Sequence, residues 1–271
     1  MNDQDQNSLL QKAKFLNSIG KFKDVIDLLT HKTLKDCNDV SLYLQRGLAH
    51  LNLNILNFCI IDANNALKLD IHCGRAFFLR AAAYTRKKEY SKAFDDILQV
   101  KEILPNIEDS GELFHELESL YLEIHYNIGE EFLRIADFNN ALKYYDIVLD
   151  HKSPSLELEL EIKEKAARCC YAIAQDVLIG NDLVLSLKFF DRAVDLAPNN
   201  VMYYYWRGHV NERLGNIKKS LNDYRYCLVI NKEHDEFNKT LNEKIIELVK
   251  KTSKIDTDER DEGVSLTVST V

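Results

Sequence analysis

The sequence predicts an all-α fold, a series of six helix–turn–helix units closed by a C-terminal helix. Three observations predict it. Breakers are scarce, with nine glycines and three prolines in 271 residues, which favours helix over most of the length. One pattern recurs as GKFKDVIDLL, NILNFCIIDANNAL, KEYSKAFDDILQV, ADFNNALKYYDIVL, NDLVLSLKFFDRAV and GNIKKSLNDYRYCL, and self-similarity at a fixed step is the signature of a repeat array. The eighth residue of every unit is small: Ala13, Gly47, Ala81, Gly129, Ala174 and Gly208.

The elements follow in order. Units start at Gln6, Val40, Gly74, Leu122, Ala167 and Val201, so successive starts lie 34, 34, 48, 45 and 34 residues apart. In each unit a first helix A carries the small eighth residue, and helix B carries the recurring pattern. Position 20 is Val25, Cys59, Ala93, Ala141, Ser186 and Ser220, and position 24 is Leu29, Ala63, Ile97, Tyr145, Phe190 and Tyr224. Position 27 is Lys32, Ala66, Val100, Val148, Ala193 and Cys227. Small residues where helices approach and bulky ones beside them are what close packing requires. Gly20 and Gly215 supply turns between A and B, and Gly180 is read as doing so one residue early. Pro105, Pro154 and Pro198 fall between units, where a helix must stop.

Two segments exceed the 34-residue step, 108–121 and 155–166. Each precedes a helix A and is read as lengthening it. The first carries Asp109 and Glu112 as a capping box and an apolar stripe of Leu113, Phe114, Leu117 and Tyr121. The second alternates Leu156, Leu158, Leu160 and Ile162 in a strand-like way. Its Leu and Glu are strong helix formers, however, and it runs straight into KAARCCYAIA, so helix is expected. The longer helices would project as a contact arm, or merely cover each other's stripes. After Lys232, Phe237, Leu241, Ile245 and Leu248 recur at helical spacing and mark a capping helix at about 234–251. The acidic remainder, 252–271, is expected to be disordered. The reading is a single solenoid over 1–251.

The spacing of small and bulky positions resembles the tetratricopeptide repeat superfamily. The resemblance implies a right-handed superhelix whose concave groove, lined by the A helices, binds a peptide or helix without catalysis. The groove residues it implies are Leu44, Gln45, Leu48, Arg75, Phe78, Leu79, Tyr126, Asn127, Glu130, Tyr171, Gln175, Tyr205, Trp206 and His209. Aromatic and aliphatic anchors with a few polar groups suit such a ligand. Co-chaperone members grip a terminal carboxylate with paired cations. Here the matching positions are Leu10, Lys14, Gln45, Arg75 and Leu79, and that grip is not preserved. The arrangement around Tyr126, Asn127 and Phe138 is similar to cilium- and sperm-associated members, which makes a static ciliary component the alternative function.

Composition narrows the chemistry. With 35 Lys and Arg against 43 Asp and Glu the net charge is −8, which argues against nucleic acid or an anionic membrane as partner. No apolar run approaches a membrane span. The start, MNDQDQNSLL, lacks the marks of a signal peptide, and six cysteines show no Cys-x-x-Cys spacing. A cytoplasmic location is expected. No metal, phosphate-loop or nucleophile motif is present, so neither cofactor nor catalysis is expected. Ser269, Thr270 and Val271 resemble a PDZ-domain ligand.

Overall fold

The computed structural model describes residues 3–30, 34, 38–106, 111–151, 156–232 and 236–265. Among them are thirteen α-helices and no strand. They pair as hairpins: α1 (Asp3–Ser18) with α2 (Phe22–Leu28), α3 (Val40–Asn52) with α4 (Leu56–Leu69), and α5 (Gly74–Arg86) with α6 (Tyr90–Ile103). A 3₁₀ turn at Leu104–Asn106 carries Pro105. Then come α7 (Gly111–Arg134) with α8 (Phe138–Asp150), α9 (Leu156–Ile179) with α10 (Leu183–Leu196), and α11 (Val201–Arg213) with α12 (Ile217–Ile230). The last helix is α13 (Glu236–Ser265). Several starts are capped by side chains. Asp39 accepts from the Ser41 N–H, Asp137 from Asn140, Asp182 from Leu185 and Asn200 from Met202.

Contacts divide the chain into two compact units, Met1–Ile128 and Gly129–Val271. The division falls inside α7, whose extra length breaks the 34-residue step. Its N-terminal half packs into the first unit, where Leu113, Leu117, Leu120 and Ile124 join Phe77, Ala81, Ile97 and Val100 in one core. Its last turns face α8 in the second unit.

The repeated small residues sit where the packing needs them. Ala13, Ala81 and Ala174 are fully buried, and Gly47, Gly129 and Gly208 are buried too. A Cβ at Gly129 would stand 2.9 Å from the Tyr145 ring, and one at Gly208 would stand 3.0 Å from the Tyr224 ring. Each tyrosine belongs to the same hairpin as its glycine. Positions 20 and 24 are buried in all six hairpins, as is position 27 from the second hairpin on; Lys32 lies outside the described residues.

Every hairpin turn also contains one left-handed residue at position 15. These are Gly20 (φ 74°), Asn54 (59°), Lys88 (62°), Ala136 (60°), Asn181 (64°) and Gly215 (79°). Gly180 was expected to serve the fifth turn, and Asn181 serves it instead. The step count of the hairpin fixes the turn position, and Asn tolerates the left-handed region through its short polar side chain.

Both extensions are helical. The first is no projecting arm, because Leu113, Leu117 and Leu120 are covered within the first unit. In the second, Ile162 and Ala166 are buried, whereas Leu156 is 72% and Leu160 54% exposed. Asp109 and Pro154 lie outside the described residues. Helix α13 caps the second unit through buried Leu241 and Leu248. Its backbone is helical to Ser265. No Pro or Gly interrupts it before Gly263, and a helix nucleated on a packed surface propagates at one hydrogen bond per residue. Residues Ser269, Thr270 and Val271 lie outside the described residues.

Candidate protein-binding face

Three hairpins are locked by the same buried ion pair, between the seventh and twenty-third residues of the unit. Arg46 donates through Nε and Nη2 to Asp62 at 3.1 and 2.5 Å. Arg80 reaches Asp96 at 2.9 and 2.6 Å, and Arg207 reaches Asp223 at 3.1 and 2.7 Å. The remaining guanidinium nitrogen reaches the preceding helix B. Arg46 donates to the Leu29 carbonyl, Arg80 to Asn64 and Arg207 to Asp191. Asp62 also meets His50 Nδ1 at 2.9 Å. Sequence reasoning missed these clamps. Reading the seventh and twenty-third columns together would have shown them. The fourth and fifth hairpins carry Ile128 with Tyr144 and Ile173 with Phe189 in those columns.

In the first unit the expected groove residues are largely engaged. Leu79 is 5% exposed and packs with Leu51, Cys59 and Ala63, so it is core and not groove. It fills the space left by Gly47, whose Cβ would meet it at 2.6 Å. Gln45 accepts from Asn17 through both its side-chain and main-chain oxygens, at 2.8 and 3.0 Å. Arg75 is held by Glu116 and, at 2.8 Å, by Glu112, both on α7. Among the positions matching that grip, Arg75 alone keeps a cation where a cation is expected, and it is already paired. Phe78 packs partly buried against the α5–α7 core. Leu44 is half-buried, Leu48 is exposed, and Tyr126 and Asn127 are half-buried.

The second unit gathers the aromatic residues. Glu130 accepts from the Tyr145 hydroxyl at 2.5 Å and from Lys165 at 2.8 Å, which fixes it between α7, α8 and α9. Tyr205 leans on Phe237 of the capping helix (5.4 Å between centroids) and on Tyr224. Part of its surface is thus spent on the cap. Trp206 crosses edge-on with Tyr205 and His209 and packs on Ala174, Phe190 and Val210. Tyr171 stacks near Tyr203 and Phe190.

Two donors in this cluster are unsatisfied. The side-chain nitrogens Gln175 Nε2 and Trp206 Nε1 are buried without a hydrogen-bond partner. Both lie near enough to the Tyr171 phenol to influence its titration. Burial raises that phenol above its ordinary value, and the two donors offset part of the rise. Burial also pushes the His209 imidazole down, helped by Lys244 and opposed by Glu212. Buried donors without acceptors are uncommon and each calls for an explanation.

The buried cysteines serve packing. Burial pushes the Cys59, Cys170 and Cys227 thiols up to about 12 and Cys169 to about 11. Such thiols are poor nucleophiles. Among the described residues no three His, Cys, Asp or Glu side chains form a metal-binding group. No described helix is long and apolar enough to cross a membrane.

No family model matches the chain. It is 27% identical over 143 residues to serine/threonine-protein phosphatase T of Aspergillus oryzae, a stretch covering 52% of this chain and 29% of that protein. It is 28% identical over 119 residues to human sperm-associated antigen 1, covering 44% of this chain and 13% of that one. The chain thus spans less than a third of either curated relative. Among solved structures it is similar to the TPR domain of P58(IPK), with TM-score 0.39 and 18% identity over 94% of this chain and 69% of that one. It is also similar to the C-terminal part of a TPR repeat-containing protein from Cytophaga hutchinsonii, with TM-score 0.44 and 14% identity over 82% and 78%. A third is the TPR2AB domain of yeast Sti1 in complex with pHSP90, with TM-score 0.41 and 13% identity over 93% and 100%.

Proposed function

We propose that the chain is a non-catalytic protein-interaction scaffold, and that the A-helix face of its second unit binds an extended peptide from a partner. The observation that carries this is the pair of buried, unsatisfied N–H groups of Gln175 and Trp206, set on neighbouring A helices beside Tyr171, Tyr205 and His209. An extended main chain offers carbonyl acceptors, and the aromatic rings offer surface for its side chains. An unmet buried donor costs about 1–3 kcal/mol, so a ligand that realigns and satisfies the pair recovers that energy on binding.

The test is direct. A displayed random-peptide library is panned on the folded chain, and recovered peptides are titrated by fluorescence anisotropy. Trp206→Phe and Gln175→Met keep bulk and remove one donor each. Each should weaken binding by about fivefold or more, the worth of a buried hydrogen bond. Peptides that bind both variants as well as the wild type would refute the assignment. A second reading, a static component of a ciliary assembly, draws on the similarity to sperm-associated antigen 1 and on a likeness to tetratricopeptide repeat protein 16 around Tyr126, Asn127 and Phe138. In that case contacts would be spread over many faces, and neither substitution would release the chain from its assembly. A cytoplasmic site of action is proposed on the same footing.

A further inference from the structure

The lengthened start of α9 builds a second feature within the second unit. A cleft of about 540 Å³ lies between α9 and the α10–α11 turn, lined by Leu160, Glu164, Arg168, Pro198, Val201 and Tyr203 among others. Leu160 and Glu164 belong to the segment that the 34-residue step does not require, so a hairpin of ordinary length would lack this wall.

Two side chains give the cleft one chemical preference. Arg168 is exposed and makes no ion pair or hydrogen bond among the described residues, although Glu164 stands one helical turn before it. Tyr203 is 4% exposed and lines the cleft, and its hydroxyl makes no hydrogen bond seen among the described residues. Val201 opens α11, whose first turn is already capped by Asn200, which accepts from the Met202 and Tyr203 N–H groups. An exposed guanidinium and a phenol along one cleft suit an acceptor-rich anion. The remaining wall is apolar, with Leu160 54% exposed beside Leu196, Ala197 and Pro198. A bare anion would leave that wall wet. Glu164 is the one carboxylate among the lining residues, and its exposure lets water screen it.

We propose that this cleft docks an acidic peptide segment of a partner protein, in which a side-chain carboxylate stands next to an aliphatic side chain. The carboxylate pairs with Arg168 and accepts from Tyr203, and the aliphatic group covers Leu160 and Pro198. The site is separate from the Gln175–Trp206 face and stands or falls without it.

The probe is a fluorescein-labelled, C-terminally amidated peptide of alternating Asp and Leu, titrated by anisotropy into the full chain. Its counterpart replaces each Asp by Asn, and a third peptide of Asn and Leu carries a free C-terminus. The wild type should prefer the Asp peptide to the Asn peptide by about tenfold, the worth of a charge-assisted hydrogen bond. Arg168→Gln should erase that preference. Leu160→Ser should weaken binding of the Asp peptide by about threefold, as expected for losing a partly exposed aliphatic contact. Trp206→Phe should change neither. Arg168 and Leu160 are exposed, so melting curves should match the wild type and binding differences report the site. The proposal is overturned by equal binding of the Asp and Asn peptides, by an Asp preference that survives Arg168→Gln, by binding that needs the free terminus, or by no binding at all.

Discussion

Adding one methyl group at Gly129 tests the packing rule most sharply. The new Cβ would lie 2.9, 3.1 and 3.3 Å from three atoms of the Tyr145 ring. Ordinary contact begins about half an ångström further out, so the ring must move. It has little freedom to do so, because Tyr145 is fully buried and its hydroxyl donates to Glu130 at 2.5 Å. Overpacking of this kind costs about 1–3 kcal/mol, and replacing Gly by Ala inside a helix returns about 1 kcal/mol. Gly129→Ala should therefore lower stability by up to about 2 kcal/mol, measured by urea unfolding followed by far-ultraviolet circular dichroism. Tyr145→Leu creates a cavity by itself. Combined with Gly129→Ala it recreates the Ala13–Leu29 pairing of the first hairpin, and the double variant should be more stable than the sum of the singles by at least about 1 kcal/mol. A neutral or stabilising Gly129→Ala with no such non-additivity would refute the reasoning.

Other outcomes follow from the same geometry. Ala136→Gly and Lys88→Gly relieve left-handed residues and should each raise the melting temperature, by about 0.5–1 kcal/mol of stability, while Gly215→Ala should lower it. Arg80→Ile strands the buried Asp96 and should cost about 3 kcal/mol or more. Adding Asp96→Phe copies the Ile173–Phe189 pair and should restore much of that loss in the same unfolding assay. In the folded chain Cys59, Cys169, Cys170 and Cys227 keep their protons to about pH 11–12, whereas unfolded thiols ionise near 9.0. The unfolded state then binds fewer protons, so stability should fall as pH rises from about 9, by up to about 1.4 kcal/mol per pH unit for each thiol. Replacing Cys170 by Ala should flatten that slope, and a slope unchanged by the replacement would count against burial as its cause.

Much of the fold was legible in the residues because a repeat states its packing rule several times over. Any single unit is ambiguous, but six small residues at one position, with bulky partners sixteen residues on, specify hairpins of fixed step. Helix ends followed the same logic, and Pro105 and Pro198 do lie between hairpins. The site was less legible. A position number says which face of a helix a residue occupies, not what its neighbours do with it. Leu79 was assigned to the groove and lies in the core, because Gly47 leaves a space that only the next hairpin can fill. Arg75 looked like a recognition cation until α7 supplied Glu112 and Glu116.

The sequence by itself determined the secondary structure, the hairpin register and the buried face of each helix, since these depend on local spacing and on side-chain volume. Only the tertiary structure decided which polar groups find partners. Tyr145 is satisfied by Glu130, whereas Gln175 Nε2 and Trp206 Nε1 are not. A hydrogen bond depends on separations of tenths of an ångström between helices distant in sequence, and periodicity does not resolve distances that fine.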